Sequence, residues 1–313
     1  MPGILRQNIY RGPGRLTLGT QVIDTKDGVA LTQESSTADI TSDLGGILGA
    51  IRTEYALSLA ATPYGRVTQT LLDVLYPAWM RTPVLGSSVF GASDTPCAIQ
   101  SRAGQKITLF CAAVTTPPPL VLSTVQTAFG QMQVTAILAN GKLPGEADAL
   151  VKVEAVPWPG DVQQERPQTG CRYTATLWEG PSSGQDPIVF TDTMGGFTCE
   201  FNATMEPVPS DSGGTIDYTF GGVRPAVRFQ PLDKSEADII GLLGLNRPRG
   251  SYTGTGMDMV IAGATGLTLT LRNVDIVQGP LNWGVTALRA GEILVQASPD
   301  PATGQVFDVE FSG

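Results

Sequence analysis

The chain contains no histidine. That absence removes the commonest general base, the Ser-His-Asp and Cys-His arrangements, and most zinc sites. Cysteine is scarce: Cys97, Cys111, Cys171 and Cys199 occur without a CxxC spacing, so no thiolate metal knuckle or dithiol redox motif is written into the chain. The spacing leaves two states open, buried free thiols in a reducing cell or one disulfide per half. Basic residues are outnumbered, 20 Lys and Arg against 29 Asp and Glu, for a formal charge of −9. Non-specific nucleic-acid binding runs on the displacement of counterions by basic side chains, so this balance argues against it. It is compatible with a surface past which nucleic acid slides without sticking. No apolar run reaches the roughly 18 residues of a membrane span. The opening stretch MPGILRQNIYRGPG lacks an apolar segment of signal-peptide length. The sequence therefore predicts synthesis and folding in the cytoplasm, with no membrane partner.

What is present is β-pattern and repetition. Hydrophobic content of 42% with 37 Gly and 23 Pro over 313 residues suits many short strands and tight turns in two domains. Residues 106–114 (KITLFCAAV) alternate with period two. A TTPPP stretch breaks them, 120–125 are apolar again, Gly130 breaks the chain, and 131–138 (QMQVTAIL) alternate once more. This predicts strands separated by turns. The pattern returns at 267–274 (LTLTLRNV), 278–281 (QGPL), Gly291 and 292–297 (EILVQA). Gly291 stands 161 after Gly130, and Ile293, Val295 and Ala297 stand 161 after Met132, Val134 and Ala136.

Other segments repeat in the same order. Residues 1–15 read as an arm, and 15–23 (RLTLGTQVI) as a strand. Residues 29–60 read as a polar hairpin turning at SDLGG, 42–46; the related SDSGG at 210–214 lies 168 later, between strands expected at 197–205 and 215–229. A strand so polar is expected to line water or to pair with a neighbour. Thr62-Pro63 reads as the start of a helix carrying Val67, Leu71, Val74 and Leu75 on one stripe. Ile239, Ile240, Leu242 and Leu243 repeat Leu71, Leu72, Val74 and Leu75 at the same 168, behind a capping-box spacing of Asp233 and Glu236. Residues 84–90 read as a strand. Val309-Glu310 echoes Val153-Glu154 in a closing strand. The fold class expected is mainly β: two tandem β-sandwich domains, each with a long hairpin and one short flanking helix. The first is 1–157, the second 171–313, and the linker is 158–170, rich in proline.

Few residues carry chemistry. Gly12-Pro13-Gly14 and Gly254-Thr255-Gly256 lack the third glycine and the strand–helix frame of a dinucleotide loop. Asn202-Ala203-Thr204 fits a glycosylation sequon without a secretion signal to support it. Trp79, Trp158, Trp178 and Trp283 are dispersed and read as core or interface anchors. No catalytic residue, cofactor site or metal site is expected. Both hairpins are acidic: Asp27, Glu34, Asp39, Asp43 and Glu54 face only Lys26 and Arg52 in the first, and Asp192, Glu200, Glu206, Asp211 and Asp217 face only Arg224 and Arg228 in the second. Solubility and protection of an edge account for such charge as well as function does.

The order of a polar hairpin ending ALSLAATP, a helix TLLDVLYP, then ITLFCAAVTTPPPLVLS, a glycine and QVTAIL resembles the major tail tube protein of long-tailed, non-contractile bacteriophages. The segments at 71–77 and 112–123 carry most of the resemblance, which covers the first half well and the second loosely. It implies a virion protein that self-assembles into stacked rings, with hairpins lining an acidic lumen through which DNA passes without specific binding. Glu34, Asp39, Glu200 and Glu206 are the lumen-facing candidates. The family's subunit has one such domain, so the duplication here implies a ring of three chains with pseudo-sixfold symmetry. The resemblance also implies a tape measure protein and tail terminator or tip proteins as partners. The competing reading is a two-domain binding module at a tail tip or surface, holding a receptor or glycan.

Overall fold

The computed structural model describes residues 14–34, 37–42, 46–52, 56–91, 94–101, 104–143, 145–158, 167, 169–178, 186–210, 214–234, 257–278, 281–283 and 288–312, with the backbone alone at 14, 34, 37–42, 46–48, 50–52, 214, 278, 281–283 and 288–290. The chain is mainly β and its sheets are antiparallel. The first half opens with β1 (Gly14–Leu18) and β2 (Gln21–Glu34). β3 (Thr37–Ser42), β4 (Gly46–Arg52) and β5 (Ala56–Pro63) follow. β2 pairs with β5 and β3 with β4, so one long hairpin is built in two paired segments.

Helix α1 (Gln69–Leu75) comes next, capped by Thr68, whose hydroxyl accepts from the Leu71 N–H at 3.2 Å. The expected start at Thr62-Pro63 is corrected: both residues finish β5, opposite Lys26 and Thr25. Proline is tolerated at the end of a ladder, and Thr68 supplies the capping oxygen five residues later. Of the expected stripe Leu71 and Leu75 are buried on the helix, Val74 is only partly buried while Leu72 is fully buried, and Val67, though buried, precedes the helix. Pro77 ends the turn and opens α2 (Ala78–Arg81). The strand expected over 84–90 is absent there; a single bridge, Ser88 to Thr219, is formed, and Gly86 turns the chain at φ 77.

β6 (Cys97–Ser101), β7 (Gln105–Leu109), β8 (Cys111–Thr116), β9 (Leu120–Leu122), β10 (Thr127–Phe129), β11 (Met132–Ile137) and β12 (Val151–Ala155) complete the half. The period-two run at 106–114 is two strands, not one. Phe110 leaves the ladder and donates to the Leu150 carbonyl. β7 and β8 then lie far apart in the sheet order β12-β7-β6-β1-β2-β5-β11-β8. Leu109 and Cys111 are both buried, so the alternation runs through the break without a skip, and pattern alone does not reveal it.

The second half contains β13 (Tyr173–Trp178), β14 (Ile188–Phe190), β15 (Thr193–Ser210), β16 (Gly214–Pro231), β17 (Asp258–Gly263), β18 (Leu267–Leu271), β19 (Asp275–Gln278), β20 (Leu281–Trp283), β21 (Leu288–Ala290), β22 (Ile293–Gln296) and β23 (Phe307–Phe311). Its pairing register repeats that of the first half. Thr25 opposite Pro63, Val29 opposite Ala61, Glu34 opposite Ala56, Thr37 opposite Arg52 and Ser42 opposite Gly46 become, 168 later, Thr193–Pro231, Phe197–Phe229, Asn202–Arg224, Met205–Phe220 and Ser210–Gly214. The irregularities recur with the pairs: the register slips after Lys26 and after Thr193, after Ile40 and after Val208. Bulges fix strand twist and aim, so shared bulges mean a shared hairpin shape. The β9–β10 ribbon, Leu122 opposite Thr127, recurs 161 later as Trp283 opposite Leu288 in β20–β21.

The halves share a core across the 158–170 boundary. β9 and β10 leave the first half and join the sheet β10-β9-β15-β16-β22-β19. One apolar cluster includes Leu59, Leu72, Tyr76 and Val134 from the first half and Phe201, Val227, Ile261 and Phe307 from the second. The apolar stripe at Ile239, Ile240, Leu242 and Leu243 lies outside the described residues. Asp233, read as its cap, accepts hydrogen bonds from the Thr191 N–H and hydroxyl.

Candidate functional site

The two features with functional geometry are the outer face of the second hairpin and the contact between the halves. Along β15 burial alternates: Phe197, Cys199 and Phe201 are buried, while Glu200, Asn202, Thr204 and Glu206 point the other way. Across the ladder Thr198 faces Arg228, Asn202 faces Arg224, Glu206 faces Thr219 and Val208 faces Asp217. Strand alternation therefore gathers Glu200, Glu206, Asp217, Arg224 and Arg228 on one face. Arg228 lies 3.6 Å from Glu200 and 3.4 Å from Glu292. The acidic excess read from sequence is thus partly neutralised on this face by arginines from the returning strand. Of the four lumen candidates the structure puts Glu200 and Glu206 on the same face of β15, about 20 Å apart along the strand. Glu34 and Asp39 are placed by register alone, opposite Ala56 and Ala50, at the positions equivalent to Asn202 and Pro207.

The contact between halves has three parts. In the first, β9 adds to β15, with Leu122 opposite Phe197 and Leu120 opposite Cys199. Gly196 makes this approach possible: at φ +89 it leaves its would-be Cβ only 2.2 Å from the Leu122 carbonyl oxygen, where any side chain would collide. In the second, the loop after α2 runs along β16. The Gly86 N–H donates to the Phe220 carbonyl at 2.8 Å, the Phe220 N–H to the Ser87 carbonyl at 2.9 Å, and Trp79 meets the edge of Phe220 at 5.1 Å.

In the third, α1 lies on β23. The Gln69 side chain accepts from the Phe311 N–H at 2.7 Å and donates to the Val309 carbonyl at 3.3 Å. Arg81 pairs with Asp308 at 3.4 Å and Asp73 at 2.6 Å. Tyr76 packs on Phe201 and Phe307, centroids 4.7 and 6.3 Å apart, and its hydroxyl donates to the Pro118 carbonyl at 2.8 Å. Burial, then the nearby Cys199, pushes the Tyr76 hydroxyl well above its usual range, so it serves as a neutral donor.

The cysteines are buried free thiols. Burial pushes Cys97 and Cys111 up to about 12, which keeps them protonated and unreactive. Among the described residues no group of three or more His, Cys, Asp or Glu side chains could hold a metal ion, and no helix is long and apolar enough to cross a membrane. Sequence reasoning missed the contact between halves; its legible signal was Gly196, a glycine beside a second glycine at a strand start. No protein-family model matches the chain, and no curated protein matches it.

Proposed function

We propose that this chain is a structural protein that assembles with copies of itself into the tube of a bacteriophage tail, each half acting as one tube unit and three chains supplying six. The observation that supports this reading best is the recurrence of one hairpin, with both register slips of the first found again in the second, in two halves that already join edge to edge. A device that repeats and adds to itself through backbone pairing is suited to assembly. The sequence resemblance supplies the specific tube. In that tube the hairpin faces carrying Glu200 and Glu206 line the lumen, with Glu34 at the equivalent register position of the alternate unit; Asp39, at the place of Pro207, takes the opposite row. Carboxylates there repel phosphate, and Arg228 offsets only that of Glu200.

The test is imaging of the purified full-length protein at high concentration, followed by charge reversal. Rings or tubes support the proposal; a small, unassembled species with affinity for a receptor or glycan favours a binding module instead. Lys at positions 34, 39, 200 and 206 is expected to leave each half folded and to make the tubes retain DNA, more weakly as salt rises. Charge-reversed tubes that ignore DNA at low salt would overturn the lumen assignment.

A further inference from the structure

The contact between the halves has two surfaces, and each occurs a second time in the chain without a partner among the described residues. The donating ribbon β9–β10 has its equivalent in β20–β21, which among the described residues pair only with each other. The accepting edge, residues 197–199 of β15, has its equivalent in Val29, Ala30 and Leu31 of β2. These residues pair with β5 on one side. Among the described residues no strand pairs with their other side, since β1 pairs only with residues 21–24.

Side-chain environments report the same vacancy. Gly28 has φ +88, matching Gly196 at φ +89, yet a Cβ built on Gly28 meets nothing within 4 Å where one on Gly196 strikes Leu122. Leu31 is 38% exposed where its equivalent, Cys199, is 1%. Val151 and Val153 on β12 occupy the positions of Phe307 and Val309 on β23. The latter are sealed under α1 at 0%, whereas the former are 42% and 64% exposed. Among the described residues two separate elements of the first half, β2 and β12, thus lack the cover that their equivalents in the second half receive.

We infer that a second copy of this chain supplies that cover: β20 of one chain adds antiparallel to β2 of the next, with Trp283 opposite Val29, Asn282 opposite Ala30 and Leu281 opposite Leu31. The register is copied from Leu122–Phe197, Val121–Thr198 and Leu120–Cys199. The inference rests on the assembly reading above and gives it a surface and a polarity. The contact is head-to-tail, joining the end of one chain to the start of another, and so closes rings when the rotation permits. A backbone edge accepts a strand through main-chain hydrogen bonds, so the differences in side chains between the halves do not forbid it.

The experiment uses the full chain with cysteines at opposed positions. Directly opposed residues in antiparallel strands have Cα atoms about 4.5–5.5 Å apart, within disulfide range, and the native thiols are buried. Ala30→Cys chains mixed with Asn282→Cys chains are expected to give covalent dimers on mild oxidation, while neither variant alone does. The double variant is expected to give closed trimers. Val121→Cys with Thr198→Cys, the opposed pair inside one chain, is the positive reference. Gly28→Ala is expected to keep the circular dichroism of the free chain and to weaken assembly at least tenfold. If the reference pair closes and the mixed pair does not, if Ala30→Cys dimerises with itself, or if Gly28→Ala assembles normally, the inference fails. Tubes without the 30–282 disulfide retire this contact but leave the tube reading standing. Disulfide-linked trimers without tubes do the reverse. A chain that stays monomeric and unlinked overturns both.

Discussion

Replacing Gly196 by alanine, with Gly28→Ala as its reference, isolates the energy of the contact between halves. Both glycines are left-handed, at φ +89 and +88, and an L-residue there costs roughly 1–2 kcal/mol. That cost appears in both variants and cancels in their difference. Only at Gly196 does the new methyl meet a backbone atom, the Leu122 oxygen at 2.2 Å, with the Ser123 Cα at 2.8 Å. Ordinary contact begins near 3.4 Å, so β9 has to retreat by about 1 Å. Three opposed residue pairs hold β9 on β15, and each backbone hydrogen bond contributes about 0.5–1.5 kcal/mol net. Leu120 and Leu122, both fully buried, also lose packing. The expected excess destabilisation of Gly196→Ala over Gly28→Ala is about 2–4 kcal/mol. Urea unfolding followed by far-ultraviolet circular dichroism at low protein concentration measures both. Equal destabilisation of the two variants would refute the reasoning, since it would mean that β9 rests on β15 without holding it.

Leu75→Ala and Leu72→Ala, at fully buried positions of α1, should each cost about 2–5 kcal/mol; unchanged thermal stability would remove α1 from the core. Tyr76→Phe leaves the Pro118 carbonyl without its donor and should cost about 1–3 kcal/mol by chemical denaturation. The Asp233 carboxyl is raised by partial burial but lowered more by its hydrogen bonds from Thr191, for a net depression. Its contribution to stability is therefore present above its unfolded value near 3.9 and is lost as pH falls through the folded value. Asp233→Asn should flatten the stability profile in that acid range, and an unaltered profile would contradict the assignment. Cys97 and Cys111 should resist iodoacetamide at pH 8 in the folded chain and react once it is unfolded, as mass spectrometry of the digested protein would read.

The mainly β character and the hairpins were legible in the sequence because turns and alternation are local signals. The related turns at 42–46 and 210–214 close hairpins at Ser42–Gly46 and Ser210–Gly214, and the spacing of 161 between Met132 and Ile293 is the spacing found between β11 and β22 against their neighbours. The break at Phe110 was not legible, because Leu109 and Cys111 are buried on either side of it and keep the period. The helix start was misplaced because Thr62-Pro63 and Thr68 carry the same local chemistry, and only strand pairing with β2 decides between them. The addition of β9 to β15 is a backbone event between residues far apart in sequence, so side-chain pattern leaves almost no trace of it. The acidic face was half legible: Glu200 could be named, but its arginine partner at 228 depends on hairpin register.

The shared register of the hairpins has a consequence for how charge is spaced. Thr32 and Ala60 occupy, in β2 and β5, the places that Glu200 and Arg228 occupy in β15 and β16. One hairpin presents an ion pair where its twin presents a hydroxyl and a methyl. Wherever the halves alternate around a common axis, the backbone repeats with every half but the charge repeats only with every chain. Such a wall is geometrically regular and electrostatically striped, and each stripe can change by a single substitution without disturbing the one beside it.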